Sequence, residues 1–175
     1  MRKSKITITV WGCIGIFLIA ALAIVPAAQA GGKTVKCKIA APFTKFEFVP
    51  VPDVKGHVIG VAERRGVVIY ENGETAAYHS RLTFDVTKGD GSWKGYADWS
   101  FADGSIIIYK CQGTATSGKP RLIKGTGEYI KGTGRFEGIK GKVSMDGKYV
   151  TPYTQDETKG DAVFDFTSTY TLPKK

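Results

Sequence analysis

The stretch VVIYENGETAAYHSRLTFDVT, residues 67–87, decides the fold class. Apolar and polar residues alternate strictly over 81–86, a pattern typical of a strand with one buried and one solvent-facing side. Asn72-Gly73 lies between this strand and the apolar residues 67–70, and Asn-Gly favours the two positive φ values of a type I′ hairpin turn. The stretch therefore predicts two antiparallel strands joined by a tight turn.

The same period of two recurs along the chain. Apolar residues alternate with polar ones over 35–39, 45–48 and 164–172, and no long window carries a helical stripe. Glycine-rich turns such as Gly89-Asp90-Gly91 and Asp103-Gly104 separate the predicted strands. Strands joined in sequence form a meander, and closing a meander into a barrel removes its unpaired edges. We therefore predict an all-β chain with a single barrel domain.

The first 30 residues have the order of a secretory signal. Three basic residues within positions 1–5 precede an apolar run over 6–25, and Ala28-Gln29-Ala30 follows it. We predict a signal peptide over 1–30, cleavage after Ala30, and a mature domain over 31–175 that is periplasmic or secreted. The alternative is an uncleaved membrane anchor, because about 20 apolar residues can span a bilayer.

The net charge of +9 is unevenly distributed along the chain. Residues 105–148 carry nine basic and three acidic residues, and the predicted signal accounts for three more positive charges. The basic residues are not interleaved with a repeated set of stacking aromatics, so we predict no nucleic-acid partner. The basic sector favours a weak contact with an anionic envelope surface. The residues predicted to make that contact are Lys124, Lys131, Arg135, Lys140 and Lys142.

Cys37 and Cys111 are the two cysteines of the predicted mature domain, since Cys13 lies in the signal. Two cysteines in an exported domain usually pair, so we predict a disulfide between them; the alternative is two buried free thiols. His57 and His79 stand far from either cysteine in sequence, which is not a zinc pattern. We therefore predict no metal site.

Two glycine motifs resemble nucleotide-binding loops but lack the required context. Residues 113–119 read GTATSGK, and Pro120 follows where a phosphate loop needs Ser or Thr. Residues 132–138 read GTGRFEG, and the pattern after them favours a strand over the helix that a dinucleotide site requires. We therefore predict no cofactor.

Three segments resemble the allene oxide cyclase-like barrel group, which is related to dirigent proteins: FADGSI at 101–106, GTGEY at 125–129 and GTGRFEGIKG at 132–141. The resemblance implies an eight-stranded antiparallel barrel, up-and-down and meander-like, with an interior cavity. It also implies small-ligand chemistry and frequent homo-oligomers. It transfers no catalytic residue to this chain, so catalytic residues stay unassigned.

A barrel of this kind admits three functions. The first is non-catalytic binding of a small apolar ligand inside the barrel. The second is an isomerase or cyclase that uses an inward polar group such as Tyr78 or Glu47. The third is a barrel filled by its own side chains that acts through its outer surface. The residues predicted to line a cavity are Phe46, Phe48, Tyr78, Trp99, Phe164 and Phe166, and core packing is the alternative role for the aromatic cluster around Trp99.

Overall fold

The computed structural model describes residues 32–151 and 160–174. Strands and one short 3₁₀ helix, Gly134–Phe136, make up this part of the chain. The strands are β1 Lys33–Ala41, β2 Phe43–Pro50, β3 His57–Tyr70, β4 Thr75–Thr87, β5 Asp90–Phe101, β6 Ile106–Thr116, β7 Leu122–Gly132, β8 Lys140–Tyr149 and β9 Ala162–Thr171. The described ranges contain no helix long and apolar enough to cross a membrane. The predicted signal peptide lies outside them.

Eight of these strands close into an antiparallel barrel. From β3 to β9, each strand pairs with the next one along the chain. β1 then completes the ring, because it pairs with β9 along its whole length and with the end of β3 through Cys37–Ala40. The predicted eight-stranded, meander-like antiparallel barrel is therefore confirmed.

β1 and β2 share one side of the long strand β3, and Pro42 separates them. β2 pairs with the first half of β3 and has no second strand partner in the part of the chain that the structure describes. Proline has no N–H to donate, which interrupts the ladder at this point. The strands approach so closely here that a Cβ on Gly66 would lie 2.0 Å from the Ala40 carbonyl oxygen. The end of the barrel beside β2 contains the candidate site.

The two hairpin turns that flank β4 differ from the sequence prediction. The predicted type I′ turn at Asn72-Gly73 is wrong, because only Gly73 has a positive φ, of 83°. The Gly73 N–H donates to Tyr70 O, and the Asn72 side chain accepts from the Glu74 N–H, so this loop is wider. Lys88 and Gly89 instead form a two-residue loop after β4, with φ values of 52° and 90° that fit a type I′ turn.

Aromatic side chains fill the middle of the barrel. Trp99 and Tyr109 are fully buried, and their ring centroids lie 5.6 Å apart in an edge-to-face arrangement. Phe166 packs against both rings, at 5.3 Å from Trp99 and 5.7 Å from Tyr109. The hydroxyls of Tyr129 and Ser168 form a buried hydrogen bond nearby. The middle of the barrel is therefore packed core.

The predicted Cys37–Cys111 disulfide is wrong, because both side chains are buried free thiols. Cys37 lies on β1 and Cys111 on β6, which are four strand steps apart in either direction round the ring of eight. The two cysteines thus occupy opposite walls of a barrel filled with aromatic rings, whereas a disulfide needs Cα atoms within about 7 Å. Burial raises the pKa of both thiols to about 12, so both stay protonated.

Candidate functional site

An interior cavity lies at the end of the barrel where β2 pairs with β3. Its volume is about 60 Å³, room for only a few water molecules. Apolar side chains form most of its wall. The polar groups on that wall belong to Arg64, Tyr78, Trp93, Cys111 and Tyr149. The cavity therefore combines apolar walls with a charged group and several hydrogen-bonding groups.

The six aromatic residues predicted to line a cavity occupy three different places. The structure puts Phe46, Tyr78 and Phe164 on the wall of the interior cavity, Trp99 and Phe166 in the packed core, and Phe48 beside a depression on the outer face of the sheet. Strand alternation predicts which side chains point inward, but it contains no information about their height along the barrel.

Arg64 is the charged group of the cavity. It points inward from β3 and is only 2% exposed. Its Nη1 donates hydrogen bonds to the carbonyl oxygens of Ala41 at 2.7 Å and Gly160 at 2.8 Å. The guanidinium carbon lies 3.5 Å from the centroid of the Phe43 ring, a cation–π contact. These contacts fix the guanidinium at the wall of the cavity.

Arg64 makes no ion pair with a carboxylate in the described part of the chain. Burial lowers the pKa of Arg64, while the nearby Tyr149, Tyr78 and Asp161 act in the opposite direction. Arginine nevertheless keeps its proton in proteins, so the cavity wall carries a positive charge. A buried ion without an ionic partner costs several kcal/mol after relaxation. The wall of the cavity is therefore electrostatically suited to an anion.

Trp93 and Tyr78 add hydrogen-bond donors to the same wall. The indole N–H of Trp93 is buried and has no hydrogen-bond partner within the described ranges. The Trp93 ring is held by two glycines, because a Cβ on Gly113 or Gly125 would lie 2.5 Å or 2.6 Å from ring atoms. Burial raises the pKa of Tyr78 to about 12, so its hydroxyl stays protonated, and it interacts with the Ser80 and Tyr109 hydroxyls. These donors complement the charge of Arg64 toward an electron-rich ligand.

The two polar residues considered for catalysis, Tyr78 and Glu47, lie in different places. None of the described residues that line it is Asp, Glu or His. Tyr78 is protonated at neutral pH and therefore cannot act as a general base there. Glu47, the other polar residue considered for catalysis, is exposed on β2 and lies 3.4 Å from the Lys45 ammonium group. The structure therefore places Tyr78 on the cavity wall and Glu47 on the exposed side of β2.

Arg64 is absent from the residues predicted from sequence, although the sequence contains a signal for it. Ala62, Arg64 and Val68 share the inward phase of β3, so Arg64 is a charged residue in an apolar series. The neighbouring Arg65 lies in the outward phase and is exposed. Because adjacent strand residues point to opposite faces, one residue of the Arg64-Arg65 pair must face the interior. A strand-by-strand test of phase would have found it.

Two of the five basic residues predicted to contact an anionic surface make ion pairs in the described ranges. Arg135 makes ion pairs with Glu74 and with Asp103, the latter at 3.5 Å. Lys124 lies 3.4 Å from Asp146. Of the five, the exposed residues without an ion pair in the described ranges are Lys131, Lys140 and Lys142. Local pairing therefore reduces the charge that this sector presents to a partner.

His57 lies between two carboxylates at the start of β3. Its Nδ1 is 2.6 Å from Asp53 Oδ1, and its Nε2 is 2.9 Å from Asp85 Oδ1. The hydrogen bond with Asp53, followed by the one with Asp85, raises the pKa of His57, and His57 in turn lowers the pKa of Asp53. The arrangement joins the turn between β2 and β3 to β4.

Stability should depend on pH through His57. A raised histidine pKa stabilises the fold below the unfolded-state pKa, and this contribution is lost as pH rises through the folded-state value. The lowered pKa of Asp53 contributes above the unfolded-state value of that carboxyl and is lost as pH falls. We expect His57→Gln to lower the urea midpoint more at about pH 5.5 than at about pH 8. Equal decreases of the urea midpoint at both pH values would contradict this assignment. The double variant Asp53→Asn/Asp85→Asn should show the same pH dependence of the urea midpoint as His57→Gln.

The described residues contain no group of three or more His, Cys, Asp or Glu side chains that could hold a metal ion. No family model matches the chain, and no curated protein matches it.

Solved structures with a similar course of the chain include two pterocarpan synthase dirigent proteins. PsPTS1 is 13% identical with a TM-score of 0.45, over 82% of this chain and 97% of that one. GePTS1 is 13% identical with a TM-score of 0.44, over 87% of this chain and 97% of that one. A protein of unknown function from the DUF3224 family of Shewanella oneidensis MR-1 is 12% identical with a TM-score of 0.47, over 82% and 99% of the two chains. These neighbours are β-barrels, and the likeness concerns the fold.

Proposed function

We propose that this β-barrel protein is a non-catalytic binding protein for a small carboxylic acid with an apolar body. The ligand occupies the interior cavity, with its carboxylate against Arg64 and its apolar part against the aromatic wall. The observation that carries the proposal is the burial of the Arg64 guanidinium beside an apolar cavity, without a carboxylate partner in the described residues.

Charge supports a carboxylate as the polar group of the ligand. Arg64 donates to Ala41 O and Gly160 O through Nη1 and also interacts with the Tyr149 side chain, and its five N–H groups form a planar fork that matches a carboxylate. Trp93 and Tyr78 border the same cavity, and each carries a side-chain donor. A carboxylate would neutralise the buried charge and accept these hydrogen bonds, which a neutral amide or alcohol would do less well.

The volume of the cavity limits the size of the ligand. Drug-sized ligands occupy pockets of about 300–1,000 Å³. A cavity of about 60 Å³ instead suits an acid with a short apolar substituent. The proposal thus keeps the predicted apolar ligand but reduces its size and adds an anionic group.

Thermal stability in the presence of small acids tests the proposal. We expect propionate or butyrate at roughly 100 times its Kd to raise the Tm by about 5–10 °C. Propanamide and butanamide, which have nearly the same shape but no charge, should leave the Tm unchanged. Differential scanning calorimetry at constant ionic strength separates the specific effect from general salt effects.

The matched pair Arg64→Met and Arg65→Met tests the role assigned to Arg64. Both variants lose one positive charge from adjacent positions of β3, but Arg64 is buried and Arg65 is exposed. Arg64→Met should lose the Tm increase with butyrate, and Arg65→Met should retain it, with circular dichroism checking that both variants fold. An equal Tm increase for the amides, or full retention in Arg64→Met, would rule out the proposed carboxylate site.

A further inference from the structure

The strand β2 forms an edge of the sheet. It pairs with the first half of β3 on one side and has no second strand partner within residues 32–151 and 160–174. An edge strand presents a row of N–H and C=O groups that can pair with a strand of another molecule. The outer edge of β2 is therefore a place where a second chain can extend the sheet.

The register of β2 with β3 determines which backbone groups lie on that edge. Val51 N donates to His57 O at 3.0 Å, so the odd-numbered residues that follow the bulge in β2 form the hydrogen-bonded pairs with β3. The backbone groups of the even-numbered residues, such as Phe48 and Pro50, consequently point to the outer edge. Proline lacks an N–H, so Pro50 on this edge leaves the ladder with β3 intact. Pro42 and Pro50 thus delimit the segment that can add a strand.

Lys45 and Glu47 give the edge a self-complementary charge pattern. Both residues are exposed, and Lys45 Nζ lies 3.4 Å from Glu47 Oε1. When two β2 strands pair antiparallel, one register places Lys45 opposite Glu47 of the partner subunit twice, once on each side of a two-fold axis. A shift by two residues would oppose two copies of Lys45 or two copies of Glu47, and like charges directly opposite destabilise a strand pair. Charge therefore selects one register over its neighbours.

Glu63 extends this charge pattern into the next strand. It lies on β3 and is the register partner of Lys45. In the selected register, Lys45 lies between Glu63 of its own chain and Glu47 of the partner subunit. Acidic and basic side chains thus alternate along each row that crosses from one copy to the other, which favours the pairing of opposite charges.

Exposed apolar side chains border the same edge. Val49 on β2 and its register partner Ile59 are 58% and 42% exposed, and Val61, the register partner of Glu47, is 41% exposed. Apolar side chains grouped beside an unpaired edge are typical of an association surface. A second chain alongside β2 would cover part of this apolar area.

We infer that the protein forms a two-fold symmetric homodimer in which the β2 strands of two copies pair antiparallel, with Lys45 opposite Glu47 of the partner subunit. The two barrels then share one sheet that continues from β3 and β2 of one copy into β2 and β3 of the other. The same residues contribute from both sides, so the interface is closed and does not propagate into a fibre. The interior cavity takes no part in it, so dimerisation and ligand binding are independent.

Charge reversal on β2 tests this interface by sedimentation velocity of the purified protein over a range of concentrations. We expect a monomer–dimer equilibrium. Lys45→Glu and Glu47→Lys should each raise the dimer Kd roughly tenfold, because the two-fold axis makes every like-charge contact occur twice. An equimolar mixture of the two variants should regain most of the affinity as a heterodimer, since each contact between 45 and 47 again joins opposite charges.

A second exposed ion pair provides the matched control. Lys38 on β1 pairs with Asp165 on β9, and neither residue belongs to β2. Lys38→Glu and Asp165→Lys reverse the same charges and should leave the dimer Kd unchanged. Arg64→Met should also dimerise as the unmodified protein does, so the dimer and the proposed ligand site can fail separately.

Cysteine cross-linking tests the register. A mixture of the Lys45→Cys and Glu47→Cys proteins should form an intermolecular disulfide, because opposite residues of a non-hydrogen-bonded pair have Cα atoms about 4.5 Å apart. Either variant alone should not, because its two cysteines would lie on a diagonal, roughly 7–8 Å apart. Cys37 and Cys111 are buried thiols with raised pKa values and do not compete.

Three results would overturn the inference. The first is a monomer at every concentration, which would show that the prolines and Lys45 protect this edge against pairing. The second is an equal change of the dimer Kd in Lys45→Glu and Lys38→Glu. The third is a disulfide that forms as readily in either cysteine variant alone as in the mixture.

Discussion

Replacement of Trp99 by alanine is expected to lower the free energy of unfolding by about 3–5 kcal/mol. Trp99 has 0% exposure and makes edge-to-face contacts with Tyr70, Tyr109 and Phe166 at centroid distances of 5.3–5.9 Å. Removing the indole would leave a void between opposite walls of the barrel, which strands cannot close without losing their register. Urea unfolding of the purified domain, followed by tryptophan-independent far-UV circular dichroism, measures this loss.

Tyr96 provides the control for Trp99 on the same strand. It lies three residues before Trp99, points outward and is 50% exposed. Tyr96→Ala should change the free energy of unfolding by less than about 0.5 kcal/mol. A similar loss for both variants would show that the interior is not the packed core described above.

Gly113→Ala is expected to destabilise the barrel by about 3 kcal/mol, the upper end of the range for overpacking. A Cβ at this position would lie 1.9 Å from the Lys124 carbonyl oxygen and 2.5 Å from Trp93 Cζ2. The first contact forces β6 and β7 apart, and the second displaces the ring that borders the interior cavity. We therefore expect a lower urea midpoint together with loss of the Tm increase in butyrate.

Gly73→Ala is the comparison that isolates the steric part of this effect. A Cβ on Gly73 would have no atom within 4 Å, and its φ of +83° leaves left-handed strain as the cost. That strain is about 1–2 kcal/mol. If Gly113→Ala unfolds at the same urea concentration as Gly73→Ala, the close approach between β6 and β7 is not a determinant of stability.

The strands and the closed barrel could be predicted from the sequence because alternation is a local property. Each strand buries one face, so a period of two over 81–86 or 164–172 indicates a strand with one face in the core. The turn after β3 was predicted wrongly because Asn72-Gly73 is compatible with several loop lengths. Only the pairing of Ile69 with Thr75 determines which loop forms.

The candidate site depends on distances that alternation does not contain. Trp99 and Tyr78 both point inward, but only Tyr78 lies at the height of the cavity. The wrong disulfide prediction has the same origin, because Cys37 and Cys111 are both inward and their separation depends on how many strands lie between them. Arg64 was detectable by its phase, yet its two carbonyl partners, Ala41 and Gly160, come together only when the ring is closed.

The position of β1 in the ring has a consequence for how the protein folds. β1 is the first strand of the barrel to be synthesised, and it pairs with the last: Lys38 meets Asp165, 127 positions later. From β3 to β9, each pair of neighbouring strands is adjacent in sequence. The pairing of β1 with β9, by contrast, must close a loop that contains most of the chain. The meander therefore assembles with two open edges, and ring closure by β1 comes late. A circular permutation that placed β1 after β9 would turn the long-range pairing of β1 with β9 into a hairpin.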